Sequence, residues 1–241
     1  MKALLLAGGF GTRLKPLTDH TPKCLVPIAG KPLLGYWLEQ LAEHDCHKII
    51  VNTHYLHKQV ENYIEASPYR HLVELVYEPV LLGTLGSIRA YRDFFDEDAT
   101  LIAHADNFCL TDWQGFKQAF TQRPASARLT MMLFKTPTPW SCGIVKTDAN
   151  GLLSDYIEKP QAAKEEPERF GYLANAAVVI TSQAGLDDMC ALQDQYDDLC
   201  RDYLPLQIGR ANTYLNQGIH IDIGTPQTYA LANRLMQKSD S

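Results

Sequence analysis

Basic residues are in the minority: 22 lysines and arginines face 28 aspartates and glutamates in 241 residues, a net charge of −6. With a pI of about 5.7, the chain lacks the cationic surplus by which a protein holds nucleic acid through bulk charge. Long apolar runs are missing too, and no window approaches the roughly 18 apolar residues of a membrane span. The first apolar run, Ala3–Ala7, ends in Gly8-Gly9 and has neither the length nor the cleavage site of a secretory signal. The six cysteines, Cys24, Cys46, Cys109, Cys142, Cys190 and Cys200, include no C-x-x-C pair and match no zinc spacing. They read as reduced, mostly buried thiols of a cytoplasmic protein. There is no Gly/Ser- or Pro-rich linker, no internal repeat and no low-complexity tract. What remains is ordinary for a globular protein: 46% hydrophobic and 21% charged residues, in a chain long enough to bury a core without disulfide or metal staples.

Strand and helix patterns alternate through the first half. Ala3–Ala7 reads as a buried strand, followed by a Gly-rich loop to about Pro32. Helical spacing covers Leu33–His44, Leu56–Ala66 and Leu85–Phe94, and strands cover Lys48–Asn52, Leu72–Tyr77 and Thr100–Ala105. This alternation predicts an α/β fold, a Rossmann-like, mostly parallel mixed sheet with helices on both faces. The second half adds strands at Arg128–Phe134, Gly143–Thr147, Leu152–Glu158 and Leu173–Ile180, with Asn150-Gly151 as a hairpin turn. A helix over Asp197–Leu204, one alternating strand over Thr213–Ile223 and a closing helix over Pro226–Gln237 complete the pattern. Gln161–Pro167 reads as a mobile loop and Met131-Met132 as core. The whole chain, 1–241, reads as one domain.

The most informative segment is Leu6-Ala7-Gly8-Gly9-Phe10-Gly11-Thr12-Arg13-Leu14, with Pro22-Lys23 after it. Glycines following a strand let consecutive backbone N–H groups turn inward onto anionic oxygen. A P-loop would end in Gly-Lys-Ser/Thr, whereas this loop has Gly-Thr-Arg. The dinucleotide fingerprint would need glycine where Leu14 stands, which disfavours a nicotinamide or flavin enzyme. The loop carries its own cations: Arg13 offers a planar fork of donors and Lys23 a compact point charge. The plain alternative is a turn with two solvated cations.

The complete string, G-G-x-G-T-R-L-x-P-L-T and then P-K-x-L-V-P-I, resembles the signature of the sugar-1-phosphate nucleotidylyltransferases, the family that makes nucleotide sugars. Further along, Glu78-Pro79 with Gly83-Thr84-Leu85-Gly86-Ser87 is similar to that family's base-binding segment, and Asp106-Asn107-Phe108 to its metal site. Glu158-Lys159-Pro160 resembles its E-K-P motif, Asn175 its sugar-binding asparagine, and Ile221-Asp222-Ile223-Gly224-Thr225-Pro226 its second metal motif. Cys24 stands where the family usually has proline, and Ala176 where it often has glycine. Many members carry a C-terminal β-helix, for which this sequence leaves no room, so the short form is expected.

The resemblance implies a reaction and a division of labour. The partners are a nucleoside triphosphate and a sugar 1-phosphate, the cofactor is Mg²⁺, and neither nucleic acid nor membrane is involved. Residues 1–125 supply mainly the nucleotide-binding half and 126–241 mainly the sugar-phosphate-binding half. Arg13, Lys23 and Asp106 are the implied catalytic residues. Leu6, Ala7, Gly8, Gly9, Gly11, Thr12, Arg13, Lys23, Glu78, Gly83 and Thr84 are implied in nucleotide binding. Asn107, Gly143, Glu158, Lys159 and Asn175 are implied in sugar-phosphate binding, and Asp106 with Asp222 in holding the metal. Two carboxylates completed by phosphate oxygens and water make a hard site suited to Mg²⁺. Gly143 is expected to let the sugar approach the backbone closely.

Glu78 bears on the base. An ionised carboxylate only accepts hydrogen bonds, and guanine presents N1–H and N2–H₂ side by side. Uracil and thymine present one N–H, and adenine and cytosine none at that place. The expected order is GTP, then UTP or dTTP, with CTP and ATP disfavoured; the alternative is a solvated Glu78 with the backbone reading the base. A guanylyltransferase for mannose- or heptose-1-phosphate is therefore expected. The rivals are UTP- or dTTP-dependent sugar-1-phosphate transfer, CTP-dependent transfer to phosphocholine, and a non-catalytic nucleotide-sugar sensor or regulatory subunit. Tyr196–Tyr203 reads as a solvated acidic helix face, or alternatively as one side of a homo-oligomer contact.

Overall fold

The computed structural model describes residues 1–96 and 99–239. In chain order the elements are β1 (Lys2–Leu6), β2 (Pro27–Ile28), β3 (Lys31–Pro32), α1 (Leu33–Glu43), β4 (Lys48–Thr53), α2 (His57–Glu65), β5 (Val73–Tyr77), α3 (Gly83–Ala90), β6 (Thr100–His104) and β7 (Asn107–Cys109). They continue with α4 (Trp113–Thr121), β8 (Leu129–Lys135), β9 (Gly143–Thr147), β10 (Leu153–Glu158), α5 (Pro167–Phe170), β11 (Leu173–Thr181), α6 (Gln183–Cys190), β12 (Ala211–Leu215), β13 (His220–Asp222) and α7 (Pro226–Ser239). The fold is α/β with a mixed sheet, as the alternation of patterns predicts. Among the described residues no helix is long and apolar enough to cross a membrane.

Two compact units, discontinuous in sequence, divide the chain. The first comprises Met1–Leu81, Ala103–Leu110 and Gly218–Ser241; the second comprises Leu82–Ile102 and Thr111–Gln217.

In the first unit the strand order is β1-β4-β5, with β1 parallel to β4 and β4 parallel to β5. Ala3, Leu4 and Leu5 in β1 and Ile49, Ile50 and Val51 in β4 are all buried, the continuous apolar run that a parallel sheet covered on both faces requires. Leu33, Leu34, Trp37, Leu38 and Leu41 line the buried side of α1. The short β7 pairs antiparallel with β13 in the register Asp222↔Asn107, Ile221↔Phe108, His220↔Cys109. Beneath that ribbon lies a cluster of Leu14, Val26, Ile28, Leu33, Tyr36, Phe108, Ile221 and Ile223.

In the second unit β8 is antiparallel to β11 and parallel to β12, while β9 and β10 form an antiparallel hairpin beside β11. The hairpin turn forms at Asn150-Gly151: Asp148 Oδ1 accepts from the N–H groups of Asn150 and Leu152, and Gly151 takes a φ of 78°. Met131 and Met132 are core, as their position predicts. β11 carries a register shift between Asn175 and Val179, with Ala177 at a φ of 55°.

Three local expectations are corrected. The strand over Thr213–Ile223 is two strands in different units, β12 and β13, separated at Asn216-Gln217-Gly218. The helix over Asp197–Leu204 is a π turn at Leu199–Tyr203 followed by a 3₁₀ turn at Leu204–Gln207, where Pro205 has no N–H to continue a helix. The mobile loop over 161–167 folds as a 3₁₀ turn at Gln161–Lys164, anchored by fully buried Ala163, and runs into α5. The six cysteines are free; Cys24, Cys46 and Cys109 are buried and the other three are half-buried.

Candidate functional site

In the first unit, the glycine loop leaves the carboxyl end of β1, and the Leu6 carbonyl accepts from Ala105 N–H at 3.0 Å, which brings the residue after β6 to the loop's root. Gly11 takes a φ of 64°, a conformation that L side chains rarely adopt, and a Cβ there would lie 2.9 Å from Thr18 Cγ2 and 3.1 Å from Lys23 Cβ. Thr12 opens the 3₁₀ turn Thr12–Leu14, which Leu14 anchors in the core. Gly9 has open space on its Cβ side.

Four charged groups from distant parts of the sequence converge beside this loop. Lys23 Nζ donates to Asp106 Oδ2 at 2.9 Å and to Asp222 Oδ1 at 3.0 Å, and Arg13 Nη2 donates to Asp222 Oδ2 at 3.2 Å. Lys23 is only 5% exposed, whereas Asp106, Asp222 and Arg13 are 33%, 46% and 65% exposed. The β7–β13 register explains the convergence, because it sets Asp222 opposite Asn107 and Asp106 is the next residue back. Asn107 itself is buried, and its carbonyl accepts from Trp37 Nε1 at 2.9 Å. Gly224, part of the Ile221–Pro226 motif, is not among the implied site residues but bears on the site. A Cβ on it would lie 2.9 Å from both Arg13 Nη2 and Asp222 Oδ2, so its missing side chain leaves that ion pair room.

Burial works against the Lys23 charge, but Asp106 and Asp222 outweigh it and hold the ammonium above its ordinary 10.5. Burial likewise opposes the Asp222 charge, and Lys23 and Arg13 overcome it, holding the carboxyl below 3.8. The signs follow by linkage. A raised lysine stabilises the fold below its unfolded pKa and loses that contribution as pH rises through the higher folded value. A depressed aspartate stabilises it above its unfolded pKa and loses that as pH falls through the lower folded value. The cluster is thus intact through neutral pH. Asp222→Asn is expected to flatten the stability loss below about pH 4, read by thermal melts as a function of pH. Two residues back on β13, burial pushes the His220 imidazole down to about 4 despite Asp222 and Asp106.

The same unit holds Glu78, at the end of β5 and 2% exposed. Asn52 Nδ2 donates to Glu78 Oε1 at 3.0 Å, and Asn52 Oδ1 accepts from Ala7 N–H at 2.7 Å. Asn52 therefore ties the carboxylate to the root of the glycine loop. The sequence reading missed it, although a polar residue ending the run Ile49-Ile50-Val51 is a legible signal. Gly8 packs with its Cβ position 3.0 Å from Leu81, and the exposed Phe10 ring lies edge-on to His54 at 5.2 Å.

In the second unit, Gly83 and Thr84 begin α3. Gly83 has a φ of 74° and a Cβ there would meet Asp197 O at 2.5 Å, while Thr84 Oγ1 accepts from Leu199 N–H at 2.6 Å. Both therefore have internal work besides any ligand contact. Gly83→Ala is expected to lower the melting temperature by about 4 °C or more, for roughly 2 kcal/mol of strain in a unit this size.

Gly143, Glu158, Lys159 and Asn175 also come together in this unit. Gly143 and Glu158 are register partners in the β9–β10 hairpin. Lys159 Nζ lies 3.2 Å from Glu158 Oε1, and the Tyr156 hydroxyl donates to Glu158 Oε2 at 2.9 Å. Asn175 is 8% exposed; its Oδ1 accepts from Ala177 N–H at 3.0 Å and its Nδ2 lies 3.4 Å from Tyr156 Oη and 3.3 Å from Cys200 Sγ. Tyr156 and Cys200 were not singled out from the sequence, where nothing distinguishes them from ordinary core positions.

Two carboxylate oxygens, Asp106 Oδ2 and Asp222 Oδ1, point at one cation, the Lys23 ammonium. That donor chemistry fits a hard divalent ion such as Mg²⁺, which takes one or two carboxylates and draws its other ligands from phosphate and water. Among the described residues no three His, Cys, Asp or Glu side chains group closely enough to hold a metal by themselves.

The family model "Nucleotidyl transferase" matches residues 2–239. Over 234 residues the chain is 28% identical to the mannose-1-phosphate guanylyltransferase catalytic subunit beta of Drosophila melanogaster, covering 95% of this chain and 60% of that protein. It is 29% identical over 173 residues to the UTP–glucose-1-phosphate uridylyltransferase of Synechocystis sp., covering 66% of this chain and 44% of that protein. The chain thus spans less than two thirds of the length of either relative. The crystal structure of HddC from Yersinia pseudotuberculosis complexed with GMP-PN shares the fold, with a TM-score of 0.78, 24% identity, and coverage of 98% of this chain and 99% of that one. The match runs from residue 2 to residue 239, and the chain belongs to the nucleotidyl transferase family.

Proposed function

We propose that the chain acts as a single nucleotidyltransferase domain, working in the cytoplasm, that joins a nucleoside triphosphate to a sugar 1-phosphate. The products are a nucleotide sugar and pyrophosphate. The observation that carries the reading is the convergence of Arg13, Lys23, Asp106 and Asp222 at the glycine loop.

An oxygen of the sugar phosphate attacks the α-phosphorus, a P–O bond forms, and the bond from the α-phosphorus to the bridging oxygen of pyrophosphate breaks. The nucleophile has a second pKa near about 6 and is largely ionised at neutral pH, so no protein base is needed. The difficulty is bringing two polyanions together and stabilising the charge that accumulates on the leaving group. Backbone N–H groups from Gly8 to Thr12 bind phosphate oxygens, while Leu6 and Ala7, the latter with its N–H held by Asn52, form the root of the nucleotide-binding loop. Arg13, which is exposed and held at one end by Asp222, swings to the leaving pyrophosphate, and Lys23 holds the α-phosphate. Asp106 and Asp222 would hold Mg²⁺, which supplies charge neutralisation to the triphosphate. Lys159 binds the phosphate of the sugar 1-phosphate and Glu158 accepts from a sugar hydroxyl, with Asn107 and Asn175 completing that set and Gly143 leaving room beside Glu158; Asn175 gives its amide to a sugar hydroxyl only by loosening its internal bonds.

GTP with mannose- or heptose-1-phosphate is the preferred pair. Support comes from the guanylyltransferase among the relatives and from the buried acceptor Glu78. Glu78→Gln tests the base assignment: the GTP/UTP ratio of kcat/KM is expected to fall by about tenfold or more, as a charged acceptor is replaced by a neutral amide. An unchanged ratio would return base recognition to the backbone.

A further inference from the structure

We propose that Tyr156 is a positioning residue that fixes the Glu158 carboxylate for sugar-phosphate binding, and that position 143 is glycine to admit the tyrosine hydroxyl. The proposal rests on the functional reading above and adds to it two residues' worth of positioning.

Residues 156 and 158 lie on the same face of β10, where alternate side chains point the same way. The Tyr156 hydroxyl has one proton and donates it to Glu158 Oε2 at 2.9 Å, while Lys159 Nζ sits 3.2 Å from Oε1. Each carboxylate oxygen therefore has its own donor and keeps further acceptor capacity. The phenol oxygen in turn lies 3.4 Å from Asn175 Nδ2, and Asn175 is locked by Ala177 N–H at the irregularity in β11. Burial, with Cys200 and Glu158 nearby, pushes the Tyr156 phenol far up, so it keeps the proton it donates.

Gly143 is the register partner of Glu158 across the hairpin. A Cβ there would overlap the Tyr156 hydroxyl and come within 2.7 Å of Glu158 Oε2. The space that the sequence reading reserved for a sugar is filled by the Tyr156–Glu158 bond. A rigid supporting partner of this kind keeps a binding group in productive geometry at little entropic cost.

The test compares Tyr156→Phe and Gly143→Ala with Tyr172→Phe, a control that loses a similar 2.7 Å Tyr–Glu bond on the surface. Tyr156→Phe is expected to raise KM for mannose 1-phosphate about tenfold, the scale of a lost hydrogen bond to a charged group. Its kcat and its KM for nucleotide should stay within about twofold, the split that distinguishes positioning from general damage. Gly143→Ala reads the same contact from the other side should Tyr156→Phe fail to fold, and the double variant should lose no more than the worse single one. If Tyr156→Phe and Gly143→Ala both match Tyr172→Phe, the positioning role is overturned while the enzyme reading stands. If the wild type turns over no sugar 1-phosphate, calorimetric titration of mannose 1-phosphate separates the two ideas. Wild-type binding that Tyr156→Phe weakens about tenfold keeps the positioning role and removes the enzyme reading; no binding by the wild type overturns both.

Discussion

Replacing Lys23 by alanine is expected to lower kcat by about 1,000-fold, the upper end of what a single charge contact in the transition state contributes. Its second effect is on the fold. Lys23 is almost fully buried between Asp106 and Asp222, and its removal leaves two carboxylates facing each other. Breaking a fully buried pair costs about 3–5 kcal/mol. Here the carboxylates are a third and nearly half exposed, so solvent absorbs part of the repulsion and about 2 kcal/mol is expected. For a domain of this size that is a fall of about 4–8 °C in Tm. Mg²⁺ supplies the diagnostic. In Lys23→Ala the metal takes over charge compensation between Asp106 and Asp222, so millimolar Mg²⁺ should raise Tm more in the variant than in the wild type. Equal responses in melts with and without Mg²⁺ would contradict the two aspartates as its ligands.

Arg13→Ala is the complementary case. Arg13 is largely exposed and bound to protein by a single 3.2 Å contact, so its loss should leave Tm within about 1 °C, as surface changes usually do. Turnover should nonetheless fall by about 100-fold or more, because the guanidinium's contribution is made to the leaving pyrophosphate. Arg13→Lys should recover only part, since an ammonium cannot present the same planar pair of donors. Steady-state kinetics beside thermal melts read both. Activity and stability falling together in Arg13→Ala would mark the residue as a brace for Asp222 instead of a group that meets substrate.

The two variants also show what a sequence carries and what it withholds. The α/β alternation, the glycine loop and its cations were legible because each is a local pattern: apolar runs of strand length, helical spacing, and glycines beside Arg13 and Lys23. That Asp106 and Asp222 face one another was carried only by family resemblance. The geometry depends on β7 and β13, strands of three residues each, too short for periodicity to register. The same shortness merged β13 with β12 into one expected strand. The cap and core of α4 were readable, with Asp112 accepting from Gly115 N–H and Trp113, Phe116 and Phe120 on one face, yet the pattern was passed over. Tyr156 was out of reach in principle. A tyrosine in an alternating strand packs as core in most proteins, and only the Glu158 carboxylate beside it and the space left by Gly143 give its hydroxyl a task.

The most direct test of the central claim is pyrophosphate release by the purified chain with Mg²⁺, offered ATP, CTP, GTP, UTP and dTTP in turn with a pool of sugar 1-phosphates. The account predicts release that requires both substrates, is strongest with GTP, and is lost in Arg13→Ala. Absence of release with every one of the five triphosphates, while the protein still binds a nucleotide sugar tightly, would contradict it and make this chain a sensor built on an enzyme's fold.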